Sequence, residues 1–190
     1  MKNIVVFASG SGSNALKLAQ SLEGNSFVKI AACFCNNKNA GVIEKMKSRN
    51  IPVELFNRQE FNNSEEFLTR LQAYQPELIA LLGFLWLIPS WMVQAYPSKI
   101  VNLHPALLPK FGGKGMYGMH VHEAVKGAGE IESGITLHWV NEKYDEGGII
   151  AQFKVALNAS DTAETIAGKI HELEQNHVSQ VLISLLLQNS

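Results

Sequence analysis

The sequence predicts an α/β protein of the Rossmann-like kind, with a doubly wound, mostly parallel sheet, helices on both faces and a C-terminal antiparallel hairpin added to it. Three observations predict this. Between residues 3 and 103, short apolar runs rich in β-branched residues alternate with amphipathic stretches, as in a parallel sheet covered on both faces. The first run ends in Ser9-Gly10-Ser11-Gly12-Ser13-Asn14, a glycine loop where a strand turns sharply into a helix. After Pro109 the pattern changes to two alternating runs joined by a turn at 141–147, the signature of a hairpin. At 190 residues, one domain over 1–190 is expected.

The elements follow in order. Residues 3–8 form a continuous apolar strand, and beyond the glycine loop Ala15, Leu16, Leu18, Ala19 and Leu22 have helical spacing. Strands at 28–36, 52–56, 77–82 and 99–103 then alternate with helices at 39–49, 64–74 and 90–96. Residues 111–118 hold four glycines, read as a mobile loop over a site, and 120–126 suit a short helix. In the strand 133–140, Ile135, Leu137 and Trp139 share one face and Thr136, His138 and Val140 the other, and 148–157 returns beside it. The last helix is expected to start at Asp161, with Glu164 completing a capping box. Ile166, Ile170, Leu173, Val178, Val181 and Leu185 would form its inner stripe.

Composition excludes several classes. With 46% hydrophobic residues, 17% charged residues and a net charge of -1, the chain has no basic footprint for nucleic acid and no general attraction to a membrane. The N-terminus enters a strand without an apolar leader, and the other long apolar run, 181–187, is too short to span a bilayer. The cytoplasm is the expected location. Cys33 and Cys35 alternate onto one strand face, a geometry for core thiols rather than a disulfide, and no ligands complete a zinc set around them. His120 and His122 form an H-x-H pair without an evident third ligand, so no metal is expected.

Three stretches carry candidate chemistry. Gly10-Ser11-Gly12-Ser13-Asn14-Ala15 matches a dinucleotide fingerprint, but the second strand ends in Cys35-Asn36-Asn37 where that fingerprint wants a carboxylate. The loop suits a phosphate monoester better, held by backbone N–H groups, the Ser13 hydroxyl, the Asn14 amide and a helix dipole worth about 0.3–1 kcal/mol. A tight turn without a ligand is the competing reading. Gly83-Phe84-Leu85-Trp86-Leu87-Ile88-Pro89 follows the fourth strand and offers either an apolar wall for a flat heteroaromatic ring or ordinary core packing.

In the segment 100–113, Asn102 and His104 lie two residues apart on one side of a strand before Pro105 stops the ladder. An amide to hold an oxyanion and an imidazole to move a proton suit addition to a carbonyl, although a capping Asn and a half-buried His would look the same. Asp145, in the turn before Gly147-Gly148, is placed to reach His104, stabilise its imidazolium and raise its pKa, or else is a solvated turn carboxylate. His120, His122 and His138 line a site or simply pack. His171 and His177 belong to the last helix, where His177 packs on the apolar stripe.

Taken together, the glycine loop, Gly83-Phe84, Asn102-Leu103-His104-Pro105-Ala106-Leu107-Leu108-Pro109 and Asp145 followed by Gly147 resemble, over nearly the whole chain, the folate-dependent formyltransferases. The N-x-H-P-x-L-L-P segment is the specific signal. The resemblance implies that Asn102, His104 and Asp145 form a catalytic trio. It implies that Gly12, Ser13 and Asn14 hold the phosphate of glycinamide ribonucleotide, with Glu174 near its amine. Leu85, Trp86, Leu87 and Ile88, with Asn102, Asn141, Tyr144 and Asp145, would enclose the pterin of 10-formyltetrahydrofolate, the formyl donor. Residues 1–103 would then be a phosphate-binding half and 104–190 a folate-binding and catalytic half.

The implied activity is formylation of glycinamide ribonucleotide in purine (IMP) synthesis, by a monomer or homodimer that takes only small-molecule substrates. The sequence departs from the family where Ser64 replaces a frequent basic residue near the folate tail, where Trp86 replaces a common Arg, and in the long loop 112–118. Related formyltetrahydrofolate hydrolases carry an N-terminal regulatory domain and methionyl-tRNA formyltransferases a C-terminal one; 190 residues leave room for neither. A non-catalytic phosphometabolite-binding module, and transfer to another amino sugar nucleotide, are the rival readings.

Overall fold

A computed structural model describes residues 1–188 of the chain. Each run expected as a strand is one in it. The elements are β1 (Lys2–Ala8), α1 (Ser13–Ser21), β2 (Val28–Cys35), α2 (Val42–Lys47), β3 (Val53–Leu55), α3 (Arg58–Asn62), α4 (Ser64–Gln72) and β4 (Leu78–Leu81), followed by α5 (Ser90–Ala95), β5 (Ile100–His104), α6 (Met119–Gly127), β6 (Glu132–Trp139), β7 (Ile149–Ala156) and α7 (Ala163–Gln188). They build one seven-stranded sheet of order β3-β2-β1-β4-β5-β6-β7. β1 to β5 run parallel, while β6 pairs antiparallel with both β5 and β7. This is the doubly wound sheet with an added hairpin that the sequence predicts.

The two faces explain the continuous apolar runs. Ile4, Val6 and Ala8 of β1 point into one core, which α1, α2, α6 and α7 complete, and Val5 and Phe7 point into a second core under α3, α4 and α5. The second core is a packed aromatic cluster: the Phe7 and Phe34 rings stack at 5.1 Å, and Phe56, Phe61, Phe67 and Phe84 close around them. Cys33 and Cys35 are free and buried in the first core. Burial, reinforced by Cys35, pushes the Cys33 thiol up to about 12, so it remains protonated and inert.

Several boundaries differ from the sequence reading. The helix expected at 39–49 is only Val42–Lys47, because the Asn37 side chain accepts the Asn39 N–H and holds 37–40 in a turn. A short helix, α3, precedes α4; its signal was present as Asn57 and Glu60, which form a reciprocal capping box. The last helix is capped by Thr162 and Thr165, whose hydroxyls accept each other's N–H, rather than by Asp161 and Glu164. Asp161 instead accepts the Asn158 N–H and pairs with Lys169. Leu182 and Leu186 are its fully buried distal residues, with Val181 and Leu185 half-buried beside them. In β6, Ile135, Thr136, Leu137 and His138 are all buried, because the strand lies inside the sheet with packing on both faces.

The β6–β7 pair leaves no room at Gly134, where an added Cβ would lie 2.1 Å from the Phe153 carbonyl oxygen and 2.6 Å from a Leu107 methyl. Gly134→Ala is therefore expected to destabilise by about 1–3 kcal/mol and lower Tm by roughly 3–10 °C, read by thermal melting. An unchanged Tm would contradict this packing.

Candidate active site

Strand order reverses between β1 and β4, and the chain opens a cleft at the carboxyl ends of those strands, the position where open α/β sheets bind ligands. Backbone and side chain stitch this edge together. The Ser9 N–H donates to Gly83 O and the Ser9 hydroxyl accepts the Leu85 N–H, while Asn37 Nδ2 donates to Ser9 O. The resulting cleft holds about 610 Å³. Of the residues singled out in the sequence, Gly12, Ser13, Asn14, Leu85, Trp86, Leu87, Ile88, Asn102, His104, Tyr144, Asp145 and Glu174 all border it. Asn141 does not; its side chain caps the turn by accepting the Lys143 N–H.

The two ends of the cleft differ in character. At one, Gly12 adopts φ 73°, and an added Cβ would stand 2.5 Å from Val42, so glycine is required there. α1 starts immediately after it, and the first bond of that helix is Leu16 N–H to Gly12 O. The N–H groups of Ser13, Asn14 and Ala15 therefore lack intrahelical partners, as at any helix start. The Asn14 side chain turns to α7: its Nδ2 donates to Glu174 Oε2 at 2.9 Å and its Oδ1 accepts from Gln175 Nε2 at 2.7 Å. Burial raises the Glu174 pKa above its ordinary value, against the pull of Asn14 and His171. At the other end Leu85 and Leu87 remain substantially exposed while Ile88 is buried, so the wall is apolar.

Between them lies a polar floor. β5 delivers Asn102 and His104 from the sheet, and the turn after β6 brings Asp145 over them at φ 55°. The Asp145 side chain is only 10% exposed. Its Oδ1 accepts from Asn102 Nδ2 at 3.3 Å and lies 3.4 Å from His138 Nε2. Its Oδ2 accepts the Gly113 N–H at 2.9 Å and lies 3.5 Å from His104 Nδ1. Burial works to raise the Asp145 pKa, but His138, His104 and the Gly113 N–H together hold it below the ordinary carboxylate value.

His104 is buried, and its Nε2 donates to the Phe111 carbonyl at 2.8 Å. In the neutral tautomer this bond selects, Nδ1 presents a lone pair toward Asp145, so a proton arriving there gains an ion pair. Burial nevertheless holds the His104 pKa below 6.5; Asp145 and the Phe111 carbonyl pull it up and His138 pushes it down. The sequence reading expected Asp145 to raise this pKa overall. It does pull in that direction, but desolvation is the larger effect.

His138 joins the floor as a residue the sequence left between site and packing. Its Nδ1 lies 3.0 Å from Trp139 O, and its Nε2 lies 3.1 Å from Asn102 Nδ2 and 3.4 Å from Asp145 Oδ1. The facing position of Asn102 and His138 across β5 and β6 was unreadable without the strand register. His122 is also buried and borders the cleft, whereas His120 is exposed beside Glu123. His177 stacks on Phe153 at 4.0 Å, as a packing residue. Behind the floor, Thr136 Oγ1 donates to Ala106 O and accepts from Leu108 N–H and Gln152 Nε2, fixing the loop that leaves His104. Among the described residues no group of three or more His, Cys, Asp or Glu side chains is placed to hold a metal ion, and no helix is long and apolar enough to cross a membrane.

Carbon-detected NMR should find Glu174 titrating above the ordinary 4.5. Because the Asn14 amide bonds the charged form, Asn14→Ala should raise that pKa further; a fall would contradict the contact.

The family model described as "Formyl transferase" matches residues 2–182. The chain is 38% identical over 195 residues to phosphoribosylglycinamide formyltransferase of Bacillus subtilis, covering 100% of this chain and 97% of that protein. It is 41% identical over 187 residues to the chloroplastic phosphoribosylglycinamide formyltransferase of Arabidopsis thaliana, covering 95% of this chain but 64% of the plant protein. Among solved structures, glycinamide ribonucleotide transformylase 1 from Geobacillus kaustophilus aligns with a TM-score of 0.89 at 34% identity, over 98% of this chain and 99% of that one. The phosphoribosylglycinamide formyltransferase structure from Bacillus halodurans gives 0.89 at 32%, over 100% and 97%. The chain belongs to the formyl transferase family.

Proposed function

We propose that this protein transfers the formyl group of 10-formyltetrahydrofolate to the amine of phosphoribosylglycinamide, giving phosphoribosyl-N-formylglycinamide and tetrahydrofolate in purine (IMP) synthesis, in the cytoplasm. One observation carries the reading: an amide, an imidazole and a carboxylate converge between a helix start suited to phosphate and an apolar wall suited to a flat ring. Residues 1–103 supply both the helix start and the wall, and 104–190 add His104, the turn carboxylate and α7.

In this reading the phosphate is held by N–H groups of Ser13 and Asn14 and by the Ser13 hydroxyl, against Gly12. Glu174, at the same end, accepts from the substrate's amine or hydroxyls. The pterin lies against residues 85–88, with Tyr144 and the turn closing over it. The amine attacks the formyl carbon, and the carbonyl oxygen becomes an oxyanion. Asn102 turns one amide N–H to that oxygen, releasing its long 3.3 Å contact with Asp145. His104, neutral at rest, takes the proton from the attacking nitrogen on Nδ1, and the imidazolium is stabilised by Asp145. That proton passes to N10 of the folate, directly or through water, as the carbon–nitrogen bond to N10 breaks. No covalent enzyme intermediate is needed.

The test is to supply both substrates and follow release of the deformylated folate. Release only when the ribonucleotide is present supports transfer, and release without it would replace this reading with a hydrolase. Asn102→Ala and His104→Ala are expected to fold normally and to lose at least about a hundredfold in kcat. A variant with near-wild-type kcat would remove that residue from the mechanism.

A further inference from the structure

Arg58 stands apart from the other two arginines of the chain. Arg49 pairs with Glu23, and Arg70 pairs with Glu54 and Glu60. Arg58 has no carboxylate partner among the described residues. Instead its exposed guanidinium lies 3.8 Å from the centroid of the Trp86 ring. Both members of this stack are held in place. Arg58 opens α3 directly after Asn57, whose side chain and N–H close a capping box with Glu60 at 3.0 and 2.7 Å. Trp86 is braced by Phe56, Phe61 and Phe84 of the aromatic core. An arginine laid on an indole keeps its flat fork of donors in a fixed plane and open to a carboxylate.

Trp86 borders the cleft at its apolar end. The cations that border the cleft directly are placed differently. Lys143 pairs with Glu146 at 3.1 Å, and Lys114 sits in the glycine loop two residues before Met116, which packs on the opposite face of the sheet. On the Trp86 side, then, an immobilised and unpaired guanidinium meets an apolar wall. A folate-type donor has the complementary layout: a flat ring to lie on the wall, and beyond it a chain ending in glutamate carboxylates that must leave the wall for a polar partner.

We propose that Arg58, fixed on Trp86, is a specificity residue that binds the glutamate carboxylates of the folate donor. The inference rests on the donor reading above. It is tested by comparing 10-formyltetrahydrofolate with its pteroyl counterpart lacking glutamate, in the wild type, Arg58→Ala and Arg58→Lys. Arg58→Ala should raise KM for the glutamate-bearing donor by about three- to tenfold, leaving kcat and the ribonucleotide KM unchanged. The pteroyl donor should give the same KM with wild type and Arg58→Ala, and Arg58→Lys should restore part of the loss.

An equal KM rise for both donors would reduce Arg58 to a brace for Trp86, and no rise with the glutamate-bearing donor would overturn the proposal. Should the wild type show no transfer at all, quenching of tryptophan fluorescence by tetrahydrofolate and by tetrahydropteroate gives the same comparison without turnover. Weaker binding of tetrahydrofolate alone in Arg58→Ala would sustain the proposal while the reaction itself is rejected, and equal binding of both ligands by the wild type would reject it.

Discussion

The carboxylate of Asp145 is the contact on which the site depends. It is nearly buried, and each oxygen is engaged twice: with Asn102 and His138 on one side, with the Gly113 N–H and His104 on the other. A buried carboxylate is costly unless hydrogen-bonded, so the Asn102 amide and the Gly113 N–H are held around it as firmly as it is held by them. With these four neighbours it joins β5, β6, the glycine loop and its own turn. The space beside it is equally constrained, since an added Cβ on Gly112 would come within 3.2 Å of the Asp145 Cβ.

The sheet arranges what surrounds that carboxylate. Because β1 and β4 are neighbours with their crossovers on opposite faces, one cleft is served by two cores. The core under α1, α6 and α7 presents the helix start and Glu174, and the aromatic core presents Trp86 and Ile88. A substrate with a phosphate and a substrate with a flat ring can thus approach the same floor from opposite sides. Burial makes the floor dry enough for its charges to act strongly, and the same burial lowers the His104 pKa. A base held below 6.5 is neutral near pH 7 and becomes charged only while the proton is in transit, when the facing carboxylate stabilises it most.

Much of this was legible from the sequence because it rests on local chemistry. Apolar runs gave the parallel strands and alternating runs the hairpin, Gly12 marked the turn into α1, and Asn102 and His104 shared a face by strand alternation alone. The boundaries that shifted did so where two local signals competed, as with Thr162 and Thr165 against Asp161 and Glu164, which sit one residue apart. What the sequence did not show depends on register and backbone. His138 enters the floor because β6 pairs with β5 so that His138 faces Asn102. The Phe111 carbonyl and Gly113 N–H are main-chain groups with no side-chain signal. Asn14 illustrates the converse: its residue type suggested an anion ligand, yet its side chain is committed to Glu174 and Gln175. The Arg58 stack on Trp86 joins residues far apart in sequence and carried no motif at all.

The central claim, that Asp145 holds and tunes the buried imidazole of His104, is tested most directly by titrating the histidine ring signals by NMR in the wild type and in Asp145→Asn. The account predicts that His104 titrates below 6.5 in the wild type, and lower still in the variant, because the lost carboxylate favours the protonated ring and burial remains. A His104 pKa that is unchanged or raised by Asp145→Asn would contradict it.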